Sequence, residues 1–324
     1  MNILFDTYKL FDETLSLTLS YFLNPEKRIH VLYLFTSVVL SYYVFRRNNL
    51  KSSFLQYLFP RKIWLSKSAY VDYWMFCFNS LIKIVFIGPY IIIGFYIAFY
   101  TNEYFLVSFG FPQDSMGIMQ TLILYTISLT VFNDLFSYLI HLAMHKIPFL
   151  WEFHKIHHSA TSLNPLTQYR VHPIELIINN IRSILVFGLV TGFFDYLSAH
   201  QIDKMLFLGV NVFNFIFLFL GANLRHSHVK LKYPGFLEYI LISPFQHQIH
   251  HSSDPKHFNK NIGSKFAIWD YLLGTLVLSK SVNKIRFGIG KESSNYDSLF
   301  KSLLNPVRNI IRSISMRLSL GNKS

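Results

Sequence analysis

Cysteine is almost missing from this chain of 324 residues; Cys77 is the only one. An intrachain disulfide, a cysteine zinc site and an iron–sulfur cluster held by a single chain are therefore excluded. Charge is scarce as well, at 15% of residues against roughly 25% in ordinary soluble domains. Acids are the rarer sign, 17 against 30 Lys and Arg, which leaves a formal net charge of +13. A basic balance suits nucleic acid or an anionic membrane surface. Here the Lys and Arg stand mostly beside apolar runs, which points to a membrane and away from nucleic acid. The dinucleotide fingerprint is also missing, since G-I-G at 288–290 has no third glycine and no preceding strand. There is no haem-domain signature, internal repeat or low-complexity segment. The first fifteen residues lack the basic region and small-residue cleavage site of a signal peptide.

What the chain has in abundance is apolar length. It is 52% hydrophobic and 18% aromatic. A spanning helix needs about 20 mainly apolar residues. The candidate runs are 30–45, 74–100, 120–140, 176–194 and 205–222. The first is short and can be interfacial or re-entrant; the second carries Lys83 and Pro89, so it begins late or is kinked. The expected fold is all-α, an integral membrane helical bundle of about 4–5 transmembrane helices with a cytoplasmic histidine-rich helical cap.

Orientation follows from the flanks. Arg46, Arg47, Lys51, Arg61, Lys62 and Lys67 lie between the first two runs. The segment 101–118 carries Glu103 and Asp114 and no Lys or Arg, and the turn 197–203 offers only His200 and Asp203. Arg225, Lys230 and Lys232 follow the last run. Segments 46–72, 141–175 and everything after 222 are thus expected on the cytoplasmic side. Lys27 and Arg28 favour keeping the N-terminal segment there too. In the tail 301–324, Leu303, Leu304, Val307, Ile310, Ile311 and Ile314 recur at helical spacing among five basic residues. That pattern fits an amphipathic helix on an anionic surface, or a frayed basic tail.

Twelve of the 14 histidines fall between His141 and His257. They form H-L-A-M-H (His141, His145), H-K-I-H-H (His154, His157, His158), H-S-H (His226, His228) and H-Q-I-H-H (His247, His250, His251). Spacings of three and four residues place imidazoles on one helical face, and imidazole is the commonest protein metal ligand near neutral pH. The first pair alone fits two ordinary interfacial histidines equally well. A second H-x-x-H-H almost a hundred residues after the first does not suit chance, and a metal cluster facing one membrane surface is the reading. His226 ranks above His228 as a ligand. His172 and His257 are possible additional ligands or hydrogen-bonding supports. Asp134, two turns before His141, is the first choice of carboxylate to orient a ligand; Glu152, Glu175 and Asp270 come after it. His30 and His200 read as interfacial.

The spacing H-x3-H, H-x2-H-H, H-x2-H-H resembles the fatty acid hydroxylase/sterol desaturase superfamily of membrane di-iron oxygenases. So do the segments NDLFSYLIHLAMH (133–145), WEFHKIHHSATSLNPLTQYRVHPIE (151–175) and SPFQHQIHHSSDPKHFNKNIGSKFAIWDYLLGTL (243–276). The resemblance divides the chain into an N-terminal membrane region at 1–118, a fatty acid hydroxylase-like catalytic domain at 119–278 and a basic tail at 279–324. It implies two Fe ions held by His141, His145, His154, His157, His158, His226, His247, His250 and His251, with the place of His228 variable. It also implies O2, a separate electron-donor protein or reductase, and hydroxylation or desaturation of a bilayer lipid such as a sterol or fatty acyl chain. The residues alone do not separate iron from zinc, since imidazole suits both. A lipid entrance can be lined by Phe193, Phe194, Phe213, Phe215, Phe217 and Phe219, or these rings can pack between spans. A histidine-rich metal transporter and a bis-His haem protein are the competing readings. A transporter would carry ionisable groups at mid-span, and haem ligands come as facing pairs.

Overall fold

The computed structural model describes residues 2–199, 206–207 and 210–321. Helix α1 (Asn2–Ser20) and α2 (Val31–Arg47) are followed by two short helices, α3 (Phe54–Leu58) and α4 (Arg61–Trp64), and then α5 (Lys67–Phe86). Gly88 and Pro89 then break the apolar run, because proline has no N–H to continue a helix. A 3-10 turn at Gly88–Tyr90 leads into α6 (Ile93–Phe109). The run at 74–100 is therefore two helices, and its membrane-length stretch is Gly88–Phe109. Helices α7 (Ile118–Lys146), α8 (Pro148–His158) and α9 (Pro173–Leu197) follow.

Among the described residues, three helices are long and apolar enough to cross a membrane: Gly88–Phe109, Ile118–Lys146 and Pro173–Leu197. The run at 205–222 is not one helix. It holds a two-residue antiparallel pairing, Leu206–Phe207 with Val210–Asn211, and then α10 (Val212–Phe219). Eight residues reach about 12 Å, well short of a bilayer core. Asn211 caps the start of α10 and meets the middle of α7, where Thr130 Oγ1 donates to its Oδ1 at 3.4 Å. His200 and Asp203 lie outside the described residues.

The spanning helices pack closely because small residues line their contact. A β-carbon at Gly188 of α9 would lie 2.6 Å from the Ile97 β-carbon of α6, and one at Gly192 would strike the Ala98 carbonyl oxygen. Asn102 of α6 donates to Asp195 of α9 at 2.5 Å, and Tyr125 of α7 meets Thr191 at 2.9 Å. Met116 N donates to Leu197 O at 2.8 Å, tying the ends of α7 and α9 farthest from the histidines. Both helices therefore deliver their opposite ends, His141–His145 and His172–Glu175, to the same level.

The polar half is held by a buried ion pair. Arg170 and Asp72 are 1% and 0% exposed and 3.3 Å apart. The same guanidinium donates to Ile156 O at 3.0 Å, Ser159 Oγ at 2.9 Å and Tyr296 O at 2.8 Å. Asp72 also accepts from Asn164 at 2.8 Å and Thr167 at 2.6 Å. One arginine thus fastens α5, the end of α8 and the segment before the last helix. The chain closes with α11 (Pro244–His250), α12 (Ile268–Leu272) and α13 (Leu299–Gly321). The tail is helical, and Phe300, Leu304, Val307, Ile311, Ile314 and Leu318 form an exposed apolar stripe along it.

Candidate metal centre

Four segments carry the histidines. His141 and His145 lie in the last two turns of α7. Pro148 ends that helix and opens α8, which bears His154, His157 and His158. Gly221, at φ 89°, turns the chain from α10 into a 3-10 segment, Ala222–His226. Helix α11 starts with a capping box, Ser243 and Gln246 each accepting from the other's backbone N–H, and carries His247 and His250, with His251 just beyond it. Gln248, inside that motif, points back and donates to Leu224 O and Val229 O, both at 2.8 Å, which fixes the His226 loop.

These elements bring nine imidazoles together in two groups. His141, His145, His154, His158 and His250 form the first; His157, His226, His247 and His251 form the second; within each group the donor atoms all lie within 4.8 Å of one another. Each H-x-x-H-H motif serves both. Residues four apart differ by about 40° around a helix, and adjacent residues by about 100°. So His154 and His158 face the first group while His157 faces the second, and α11 does the reverse, with His250 in the first and His247 and His251 in the second. The two groups touch, His158 stacking on His251 with ring centroids 4.6 Å apart.

The spacing fits metal coordination better than hydrogen bonding. The Nε2 atoms of His226, His247 and His251 form a triangle with sides of 3.1, 3.2 and 3.2 Å. A protonated ring nitrogen has no lone pair with which to accept, so three such atoms cannot all bond one another. Ligands at about 2.0–2.1 Å from one ion stand about 3 Å apart or slightly more. In the first group Nε2 of His154 lies 3.1 Å from that of His141 and 3.2 Å from that of His158, while Nε2 of His145 and of His250 are buried without any partner. Such orphaned donors inside a protein call for a ligand.

Burial keeps the rings neutral and therefore able to ligate. Desolvation pulls His154, His158, His226, His247, His250 and His251 well below the usual imidazole value, and His157 down to about 3. Several rings are held from behind. His141 Nδ1 donates to Ile262 O at 2.7 Å, His250 Nδ1 to Lys260 O at 2.9 Å, and His154 Nδ1 to Glu175 Oε1 at 2.9 Å. Arg225 differs, donating through Nη2 to His247 Nδ1 at 2.7 Å.

Residues 126–275, which contain all nine, match the fatty acid hydroxylase family. The match covers a little under half of the chain. Similar curated proteins include an alkylglycerol monooxygenase of Caenorhabditis elegans, 28% identical over 52% of this chain and 30% of that protein. An ornithine lipid hydroxylase of Rhizobium tropici is 31% identical over 43% of this chain and 37% of its own length. A methylsterol monooxygenase of Aspergillus fumigatus is 25% identical over 57% of this chain and 58% of its own length. The chain thus spans about a third of the first two relatives' length. No solved structure matches it.

Within the matched segment, Asp134 does not reach His141. Seven helical residues separate them by about 10 Å along the axis. Asp134 accepts instead from Lys265 N at 3.0 Å, Phe266 N at 3.1 Å and Trp269 Nε1 at 3.0 Å. Asp270 takes Ile262 N at 2.9 Å and Gly263 N at 2.7 Å. Both carboxylates hold the loop whose Ile262 carbonyl receives His141. Glu175, in the first turn of α9, is the carboxylate that touches a histidine of the groups.

Three candidate histidines stand apart from the groups. His228 Nε2 donates to Tyr57 O at 2.6 Å. His172 caps α9 through Nδ1 and donates to Leu303 O at 3.2 Å. His257 lies in the turn Pro255–His257. His30 caps α2.

Two cavities adjoin the centre. One of about 460 Å³ is bordered by His145, His158 and His250 together with Trp151, Phe258 and Glu292. The other, of about 170 Å³, touches both groups through His141, His154, His157, His226 and His247. Between α7 and α9 runs an apolar groove of about 630 Å³, lined by Phe132, Phe136, Ile140, Ile181, Leu185 and Leu189. Phe193 and Phe194 line this groove as well; Phe217 instead packs on Tyr33 of α2.

Proposed function

We propose that the chain is a membrane-bound di-iron oxygenase that hydroxylates a C–H bond of a bilayer lipid. The two abutting groups of neutral, buried histidines carry this reading. Nine donors are too many for one ion of four to six ligands, and an all-histidine set at a membrane face suits a redox metal as well as any. The first group would hold one iron and the second the other. Bound there, iron supplies the redox couple through which O2 and two electrons oxidise the substrate, RH + O2 + 2e⁻ + 2H⁺ giving ROH + H2O. Desaturation of the same bond is the other outcome open to such a centre; the names of the similar proteins favour hydroxylation.

The protein's own residues position the reactants. The apolar groove between α7 and α9 takes the hydrocarbon part of the lipid and excludes water from it. Glu175 keeps the His154 proton on Nδ1, which leaves the Nε2 lone pair available to hold a metal ion in the first group. The Asp134 and Asp270 loop does the same for His141 through Ile262. Electrons come from a separate donor protein or reductase, because the sequence has no nucleotide-binding fingerprint.

The histidine end faces the cytoplasm, following the basic residues 46–67 and the acidic distal segment with Glu103 and Asp114. Helix α10 and the 17-residue α2 complete the four to five membrane-embedded segments. The ligand-bearing domain is 119–278, flanked by a membrane region and by the basic tail, whose exposed apolar stripe rests on the lipid surface.

The test is purification with iron, metal analysis, and incubation with bilayer lipid extract, a chemical or enzymatic electron source and isotopically labelled O2. Incorporation of one labelled oxygen atom into a lipid is expected. Iron-loaded, reduced protein that consumes no O2 with any lipid fraction would overturn the reading.

A further inference from the structure

The cavity that touches both histidine groups is not apolar. Besides the histidines it is lined by Arg28, Arg225, Gln168, Asn179, Ser137 and Ser264. Arg225 is 2% exposed. It spends Nη1 on Ser264 O and Nη2 on Gly263 O and His247, and its Nε is buried with no partner. Arg28 has no carboxylate, carbonyl or other acceptor for its guanidinium among the described residues, although its own carbonyl is taken by Asn223. Its side chain is half-buried and lines the cavity. Arg182 and Lys265 lie near enough to interact with the same Asp134. Against these four cations stand three carboxylates, Asp134, Glu175 and Asp270, the last of which accepts from Ile262 N and Gly263 N. Asp134 is fully occupied by two backbone N–H groups and an indole, and Glu175 by His154 at one oxygen. None of the four cations forms an ion pair among the described residues. Arg225 is buried, Arg28, Arg182 and Lys265 are half-buried, and all four share Asp134 as a longer-range counter-charge; positive charge so placed at a cavity wall favours an anion there. Bound metal cations add to the positive side of this balance.

We propose that this cavity receives the anionic headgroup of the lipid substrate, a phosphate or carboxylate gripped by Arg28 with Arg225 behind it. The inference rests on the oxygenase reading and narrows its substrate to an acidic polar lipid. The geometry joins the two halves of such a molecule. Ile140 and Ile178 line the apolar groove, while their chain neighbours His141 and Asn179 line the cavity. A hydrocarbon tail lying in the groove places its headgroup beside the histidines. The oxidised carbon then stands within a few bonds of the headgroup, not far down the chain.

The test measures binding without turnover, on the full chain in phosphatidylcholine nanodiscs with no electron source. Dodecyl phosphate, dodecanoate, neutral dodecylglycerol and inorganic phosphate are compared by calorimetry. Dodecyl phosphate or dodecanoate should bind at least about tenfold more tightly than dodecylglycerol. Arg28→Gln should remove that preference, and Arg28→Lys should keep most of it, with the metal content of both variants unchanged. Equal affinity for the anionic and neutral lipids in the wild type overturns the proposal, and this comparison stands even where Arg28→Gln fails to fold. Inorganic phosphate binding as tightly as dodecyl phosphate assigns the site to free phosphate and overturns the lipid assignment. A chain that oxidises neutral lipids without any anionic preference sinks this inference alone. One that binds anionic lipids but consumes no O2 sinks only the oxygenase reading.

Discussion

His154 donates a hydrogen bond from Nδ1 to Glu175 across 2.9 Å, with the two side chains 3% and 7% exposed. The contact joins the second histidine motif to the first turn of a spanning helix, 21 residues later in the chain. It fixes the tautomer that turns Nε2 toward the first histidine group, and the helix N-terminus favours a carboxylate at that place. Glu175→Ala is expected to weaken metal affinity at the first group by about 10–100-fold and to leave the second group filled. Metal analysis after dialysis against a graded chelator series measures this. Wild-type retention in the variant would remove Glu175 from the centre.

The division of the motifs between groups makes a second expectation sharp. His250→Ala removes a ligand from the first group and His226→Ala one from the second. Wild type purified with iron should hold two ions per chain, and each variant should lose mainly one while still inserting into the membrane. A wild type that binds a single ion or none speaks against the two-group reading.

Asp134 acts on the centre through a loop, so its variant should behave differently from a ligand variant. Asp134→Asn offers one acceptor oxygen where three donors wait, and an unpaired buried donor costs roughly 1–3 kcal/mol. The thermal midpoint and the iron content should therefore fall together. Iron loss with an unchanged midpoint would indicate a direct role in holding metal.

Acid should destabilise the metal-free protein. Burial depresses the seven histidines outside the spanning helices, so the unfolded chain takes up protons before the folded one. Stability is then full above the unfolded imidazole value of about 6.5 and is lost as pH falls below it, each ring adding a slope of up to about 1.4 kcal/mol per pH unit. Thermal unfolding of chelator-treated protein between pH 7.5 and 5 reads the effect; the choice of range brackets the value of about 6.5. A midpoint that stays flat or rises on acidification contradicts it.

Sidedness is open to a labelling experiment. In a Cys77→Ser background, Glu103→Cys should react with an impermeant thiol reagent from one face, and Thr161→Cys and Lys256→Cys from the other. All three positions are exposed. Reaction of positions 161 and 256 from opposite faces would break the common site, since groups on two sides of a bilayer cannot share a cavity.

Much of this was legible from residue types and spacing. The nine histidines that the motif spacing and the family resemblance single out are the nine that meet, because i, i+3 and i+4 repeats survive folding as local geometry. The spans ending at His141 and beginning after His172 were equally plain, being long and apolar. The run at 205–222 misled, since hydropathy counts apolar residues and does not see that a segment packed on α2 and α7 needs no full helix to bury its backbone.

What tertiary structure alone decided is the pairing of groups far apart in the chain. Asp134 stood at the right helical phase for His141, yet rise along the axis put it out of reach and gave it to the loop at 265–269. Glu175 looked secondary until α9 placed its first turn against α8. Arg28 and Arg225 read as flanking charge in the sequence, because nothing local tells a guanidinium turned into the protein from a solvated one. The sequence by itself determined which residues could ligate and on which helical faces they stand, since backbone repeat is a local property. Which imidazoles share an ion, what holds each ring and where uncompensated charge collects depend on long-range packing, and only the folded chain sets those distances.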